Sequence, residues 1–434
     1  MSRLLIWCGK LPHQRVDPFT TLRRNVTGTN VGNMLFQQAV VKSLSLPDYE
    51  LAANGYGLKV DDADHINDAC DVLVLPLANQ FRPNFGERLL AMAETIRRLK
   101  VPVVVVGVGC QTDLDYDFTK LQTVNEPVKR FVAAVLDHSS SIGVRGVCTA
   151  EYLKSLGFDS VDVIGCPSMF MDGAVLKSPS NIENFDRTTR LSVNISAFGE
   201  QAKFSTGLDK MGQVIAQTVS SYEDVECVSQ QRDSLMALLS GSGRQTRELR
   251  GIPKDTYRAL YDEGRVMAFV DPRTWFEHLA GRDFVFGTRL HGGIAAVLAG
   301  TPAHLIAHDS RTLELARYHE LSHAAIRSMS ADQEPRDLYD SSACSAMLSG
   351  HAGRFAAYAG FLRKNGLRNV FSDGDGGAAF EARMATTELP PAIISSMKWR
   401  QRLPWVRESL GRTAAESRWI PSGRSPRGAG SGSV

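Results

Sequence analysis

The chain has 434 residues, 43% of them hydrophobic and 22% charged, with 49 Lys and Arg against 47 Asp and Glu for a formal charge of +2. That is material for two domains with cores of their own and excludes wholesale disorder. Near-neutrality excludes a global field that attracts nucleic acid, so any basic patch has to be local.

Seven cysteines (Cys8, Cys70, Cys110, Cys148, Cys166, Cys227 and Cys344) are widely spaced, odd in number and free of a C-x-x-C pair. They argue against a disulfide framework or zinc ribbon and fit a reducing cytoplasm. The start MSRLLIWCGK has an apolar run too short for a secretory segment, and no stretch approaches eighteen consecutive apolar residues. The expectation is a chain neither exported by that route nor membrane-spanning.

Short apolar, β-branched runs alternate with longer segments of helical period, the pattern of parallel strands joined by helices. In the first half, strands are predicted at Leu4–Trp7, Val72–Leu75, Val103–Val106, Ser141–Val144 and Val161–Ile164, with helices at Asn33–Leu44, Gly86–Leu99, Glu126–Leu136 and Thr149–Leu156. Near residue 178 the text becomes KSPSNIENFDRTTR, a polar linker, and the pattern restarts. The second half predicts strands at Leu191–Ile195, Asp224–Val228, Val266–Val270, Phe284–Phe286 and Ala303–Ile306, and helices at Thr206–Ser220, Arg273–Leu279 and Gly292–Leu298. The expected divisions are an N-terminal lobe (1–178), a second lobe (179–345), a C-terminal helical region (346–420) and a disordered tail (421–434). The fold class is α/β, two Rossmann-like lobes with parallel sheets. Such sheets bind ligands beyond the carboxyl ends of their strands, which directs attention to the residues just after each strand.

After Val103–Val106 come Gly107, Val108, Gly109, Cys110 and Gln111, whose two glycines serve either a tight turn or close approach of backbone to a ligand. The third glycine of a dinucleotide fingerprint would fall at Thr112, and no Walker-type loop exists, so NAD and P-loop chemistry lose most of their weight. Asp113, Asp115 and Asp117 alternate but lack the Gly and Glu of a calcium loop, and read as a solvated acidic loop. After Phe284–Phe286 come Gly287, Thr288, Arg289, Leu290, His291, Gly292 and Gly293. A guanidinium and a glycine-opened helix start both favour phosphate or carboxylate, and His291 adds a group that moves protons near neutral pH. After Ala303–Ile306, His308, Asp309, Arg311 and Glu314 form either a second wall of the same pocket or structural ion pairs.

RYHELSH contains the zincin signature H-E-x-x-H as His319, Glu320 and His323. The segment lies downstream of the α/β edge without a well-placed third ligand, so it reads as the polar end of a surface helix rather than a metal site.

Taken together, GTNVGNMLFQQAV, VVVVGVGCQ, SIGVRGVCTAEYLKSLG, VIGCPS and especially DFVFGTRLHGGIAAVLAGTPAHLIAHDSRTLELA resemble the polysaccharide pyruvyl transferases, over about Gly28 to Leu321. One departure is visible: Asn33 stands where the family's opening motif usually has Asp. The resemblance implies lobes similar to the glycosyltransferase B arrangement, phosphoenolpyruvate as donor, and a carbohydrate acceptor that receives a pyruvate ketal with release of phosphate. It implies His291 as general acid, its charged form favoured beside anions, with Arg289. Donor contacts fall to Arg289, Gly292, Gly293, Arg311 and Arg145. The acceptor side falls to Asn30, Gly32, Asn33, Gly107, Gly109, Gln111 and Asp309. No metal and no cofactor beyond the co-substrate is expected. The alternative activity is a nucleotide-sugar glycosyltransferase of cell-surface polysaccharide synthesis, and a third class is a non-catalytic carbohydrate-binding protein.

From Lys398 onward, basic residues interleave with Trp399, Trp405 and Trp419. Either this region packs back across both lobes, or it lies on the inner membrane face and brings a cytoplasmic enzyme to a lipid-linked acceptor. Nucleic acid is not an expected partner.

Overall fold

The computed structural model describes residues 1–196 and 207–411. In the first lobe, β1 (Ser2–Ile6) lies between β2 (Tyr49–Ala53) and β3 (Val72–Pro76), with β4 (Val103–Val106) beyond β3, all parallel. A parallel bridge between Val108 and Val144 carries the sheet on to β5 (Ile142–Val144) and β6 (Val161–Val163). The order β2-β1-β3-β4 followed by β5-β6 reverses direction between β1 and β3.

The second lobe contains β7 (Leu191–Asn194), β8 (Val225–Ser229), β9 (Val266–Ala268), β10 (Phe284–Gly287), β11 (Ala303–Ala307) and β12 (His323–Ala325). Its order, β12-β11-β10-β7-β8-β9, is that of a dinucleotide-binding sheet and reverses between β7 and β10. The short β13 (Ile393–Ile394) closes the β9 edge in antiparallel register. The two lobes are therefore doubly wound α/β sheets, each with one crevice beyond the carboxyl ends of its strands.

Most predicted strands stand within two residues of their expected ends, because buried parallel strands are continuous runs of Val, Ile and Leu. Tyr49–Ala53 and His323–Ala325 were not expected: both are half-buried edge strands without a β-branched run. The predicted helix from Thr206 is Leu208–Ser221, and Thr206 itself lies outside the described residues. The helices Arg232–Ser240 and Lys254–Asp262 add to the second lobe.

Helix α1 (Val31–Ser43) sits where the lobes meet, and every residue in it except Asn33 is buried. Covered on all sides, it shares one core through its apolar residues with the helices Pro272–Leu279 and α3 (Leu290–Ala299) of the second lobe, which follow α2 (Val147–Ser155) in the chain. Backbone bonds also cross the boundary, from Val31 N to Gln230 O (3.0 Å) and from Arg232 N to Thr29 O (3.0 Å). The lobes are joined by structure as well as by chain.

The C-terminal segments return across the junction. Helix α5 (Ser345–Lys364), which follows α4 (Ser310–His319), lies on the first lobe, with Lys364 paired to Asp162 at 2.9 Å and Phe361 against Gly143. The helix Trp399–Gly411 touches both lobes: Glu408 pairs with Arg15 at 3.3 Å, and Arg402 donates to Leu239 O at 3.2 Å. Trp405 is only 7% exposed, within the second lobe's core, so it is not available to a membrane surface. Trp419 and the tail from Pro421 lie outside the described residues. Among the described residues no helix is long and apolar enough to cross a membrane.

Candidate active site

A cleft of about 1150 Å³ lies between the lobes and takes residues from the carboxyl ends of both sheets. Its second-lobe wall is built at the β7/β10 reversal. Asn194, the last residue of β7, accepts the Arg289 backbone N–H at 2.8 Å, and Arg289 caps α3. Arg289 is 8% exposed and its side chain is fully engaged. Nη2 pairs with Glu248 at 2.8 Å, Nε donates to Ile195 O at 3.0 Å, and Gln231, with its amide oxygen towards the guanidinium, accepts from Nη1 at 2.9 Å.

Glu248 is wholly buried and also takes the N–H groups of Gln230 and Gln231 and the Ser234 hydroxyl. Arg289 thus lines the cleft, yet its charge is already balanced, which the loop sequence alone did not show.

Arg145 has no such ion-pair partner. It is 2% exposed, its Nε donates to Gly107 O at 2.9 Å, its Nη2 is buried without a partner, and among the described residues no carboxylate stands within 4 Å. Burial pushes its pKa down, but a guanidinium stays charged in a protein. The glycines of the β4 loop explain its position. Gly107, at φ +71°, supplies the carbonyl, and a Cβ on Gly109 would meet Arg145 Cδ at 2.9 Å. Gly107 and Gly109 cradle Arg145 and do not line the cleft themselves. Arg311 lines the cleft opposite, with Nε on Asp309 at 2.8 Å.

Asp309 caps α4 through the Thr312 N–H (3.0 Å) and also accepts from Gln111 (3.0 Å), which ties the two lobes together. The field of Arg311 and His308, with the Thr312 N–H, holds its carboxyl well below the usual range against burial. Behind it, Glu314 accepts the Thr149 N–H (2.7 Å) and hydroxyl (3.0 Å) at the start of α2; burial pushes its pKa up to about 7.

His291, on the first turn of α3, faces the cleft amid these arginines. A Cβ on Gly32 would lie 2.6 Å from its Nδ1, so the start of α1 forms the imidazole's seat. Its Nε2 stands 3.8 Å from Cys166 Sγ. Burial, then Arg145, Arg311 and Arg289, lower its pKa to about 3. Burial and the three arginines thus favour the neutral ring, whereas the expected preference for the charged form requires an anion beside it.

Two further expectations are corrected. Gly292 and Gly293 do not offer free donors, since both N–H groups bond to Arg289 O (3.0 and 3.2 Å) and neither residue lines the cleft. Gly292 instead allows close packing, since a Cβ there would meet Asn194 Nδ2 at 2.6 Å. H-E-x-x-H is not a ligand set on one helix: α4 ends at His319, Glu320 turns left-handed at φ 53°, and His323 opens β12. Nor is it a surface helix end, for His319 is fully buried and its Nε2 accepts the Cys166 N–H at 2.8 Å.

On the first-lobe side, Asn30 caps α1 by accepting the Gly32 N–H at 2.7 Å and bridges to Gln231. Asn33 Nδ2 donates to Gly28 O (2.9 Å) and Thr27 O (3.2 Å), a role no carboxylate can fill, which accounts for amide rather than acid here. Asp113 accepts from the Asp115 and Asp117 N–H groups and from Lys120, while Asp115 pairs with Arg327 across the cleft mouth at 2.7 Å. Sequence reading missed Glu248, Arg82 and Arg88, none of which stands in a motif.

The cleft between the two doubly wound lobes is thus lined by His291 and by Arg145, Arg289 and Arg311. Residues 30–310 match the family Polysaccharide pyruvyl transferase, and the chain belongs to this family of transferase enzymes. No curated protein matches the chain. Solved structures with similar layout include S. aureus MnaA with UDP (11% identity, TM-score 0.37, covering 90% of this chain and 99% of that one). UDP-GlcNAc 2-epimerase of Methanocaldococcus jannaschii gives 10%, 0.39, 88% and 99%, and the glycosyltransferase SnogD of Streptomyces nogalater 12%, 0.29, 94% and 99%. At these scores the likenesses carry no argument, and the fold rests on the strand orders above.

Proposed function

We propose that the protein transfers the enolpyruvyl group of phosphoenolpyruvate to a saccharide, forming a pyruvate ketal and releasing phosphate. The observation that carries this reading is the buried Arg145, its Nη2 without a partner, lining the same cleft as His291. A small trianion suits that charge.

Carboxylate and phosphate against Arg145 and Arg311 offset the field that holds His291 low. The imidazolium formed then gives its proton to C3 of the donor, and C2 becomes a cationic centre that one acceptor hydroxyl attacks. Departure of phosphate restores the cation at C2, and a second hydroxyl closes the ketal. Of the two hydroxyl protons, one replaces that given by His291 and the other leaves on phosphate. The reading invokes no metal or further cofactor and places the reaction in the cytoplasm.

Calorimetric titration tests it. Wild type should bind phosphoenolpyruvate saturably and Arg311→Ala at least tenfold more weakly, a loss of about 1.4 kcal/mol. Failure of wild type to bind it, with saturable binding of a UDP-sugar, would favour the nucleotide-sugar glycosyltransferase.

A further inference from the structure

The cleft holds a second group of cations on its first-lobe wall. Arg82, just before the turn Pro83–Phe85, and Arg88, in the first turn of the helix Gly86–Ile96, line the first-lobe wall. Neither has a carboxylate within 4 Å among the described residues, and Arg82 Nε is buried without a hydrogen-bond partner. Both are pushed down by burial, and Arg82 further by Arg311 and Arg88. Arg311 lines the same cleft and its charge acts on both His291 and Arg82.

The second centre is also aromatic. The Arg82 guanidinium lies 3.9 Å from the Phe85 ring centroid and that of Arg88 5.2 Å from Trp7, which meets Tyr56 edge to face at 5.7 Å. Trp7 follows β1, at the reversal between β1 and β3, which is the first lobe's own ligand position.

Phosphoenolpyruvate, with ten heavy atoms, fills only a fraction of about 1150 Å³. Arg82, half-buried, and Arg88, more exposed, stand together without an ion-paired acid and repel each other until an anion arrives.

We propose that this wall is the acceptor subsite and that the acceptor is an anionic saccharide: a sugar ring against Phe85 and Trp7, with a phosphate or carboxylate substituent on Arg82 and Arg88. The inference rests on the transfer reading above and names its second substrate by class. Arg82 and Arg88 are then specificity-determining residues that leave the donor untouched.

The test is calorimetry on the full chain saturated with phosphoenolpyruvate, titrated with glucose 1-phosphate, glucuronic acid and glucose. One of the two anionic sugars should bind saturably and glucose at least tenfold more weakly; which of them binds tells phosphate from carboxylate. The double variant Arg82→Met/Arg88→Met should lose that binding at least tenfold while its affinity for phosphoenolpyruvate stays within twofold. If the double variant fails to fold, Arg82→Gln is read in the same way.

The proposal is overturned if neither anionic sugar binds the loaded wild type, if glucose binds as well as they do, if the sugar phosphate displaces phosphoenolpyruvate, or if the double variant loses the donor and keeps the sugar. Failure of wild type to bind phosphoenolpyruvate strikes the transfer reading instead, and anionic-sugar binding is then scored on the unloaded protein.

Discussion

His291 offers the sharpest quantitative consequence of the site. Held at about 3, the imidazole carries a proton in roughly one molecule in ten thousand at pH 7. For a half-protonated acid at pH 7, bound phosphoenolpyruvate has to raise it by about four units, a coupling of about 5 kcal/mol. Arg145, Arg311 and Arg289 are the charges a trianion can offset, whereas the burial penalty remains.

Coupling is reciprocal: the donor-bound form has the higher pKa, so donor binding takes up a proton between the two values. Affinity then rises as pH falls below the bound-state value, by up to tenfold per unit, and this dependence vanishes above it. Calorimetry at pH 6 in two buffers of different ionisation enthalpy counts the protons, and His291→Gln subtracts the donor's own phosphate titration. Wild type should take up about one proton more than the variant. Equal uptake by the two proteins would refute the assignment of His291 as the acid.

Three other outcomes follow from the same geometry. Gly32→Ala puts a Cβ 2.6 Å from His291 Nδ1 and should lower kcat about a hundredfold or more with phosphoenolpyruvate and acceptor saturating, with a small change in melting temperature. Asn33→Asp sets a carboxylate against the carbonyls of Thr27 and Gly28, and chemical denaturation should show a loss of about 1–3 kcal/mol. Glu314 rises from 4.5 to about 7 on folding, so its protonated form stabilises below pH 4.5 and that contribution is lost as pH rises through 7. The loss is about 3 kcal/mol. Glu314→Gln should therefore gain stability relative to wild type between pH 5 and 8, and parallel melting curves across that range would contradict the account.

What the sequence discloses follows from what is local. The runs Val103–Val106 and Phe284–Phe286 announce buried strands, and the glycine loops after them mark the crevices, because backbone geometry is written in neighbouring residues. Arg289 and His291 were legible as cleft residues for the same reason. Partners were not: Glu248 neutralises Arg289 from a loop 41 positions earlier, and nothing in its surroundings advertises it. Arg145 looked secondary, yet it is a buried cation without an ion-paired acid, since its cradle comes from Gly107 and Gly109 in the loop after β4. The H-E-x-x-H spacing misleads because helical period does not forbid a left-handed turn at Glu320. Arg82 and Arg88 line the cleft from a turn and a helix start beyond β3 that carry no motif.

The most direct measurement is turnover in D2O with phosphoenolpyruvate and a panel of neutral and anionic sugars, followed by proton and phosphorus NMR. The account predicts a ketal methyl bearing one solvent deuteron, formed in equal amount with inorganic phosphate and abolished in His291→Gln. Phosphate released with free pyruvate alone, or phosphoenolpyruvate left intact while a nucleotide sugar is consumed, would contradict it.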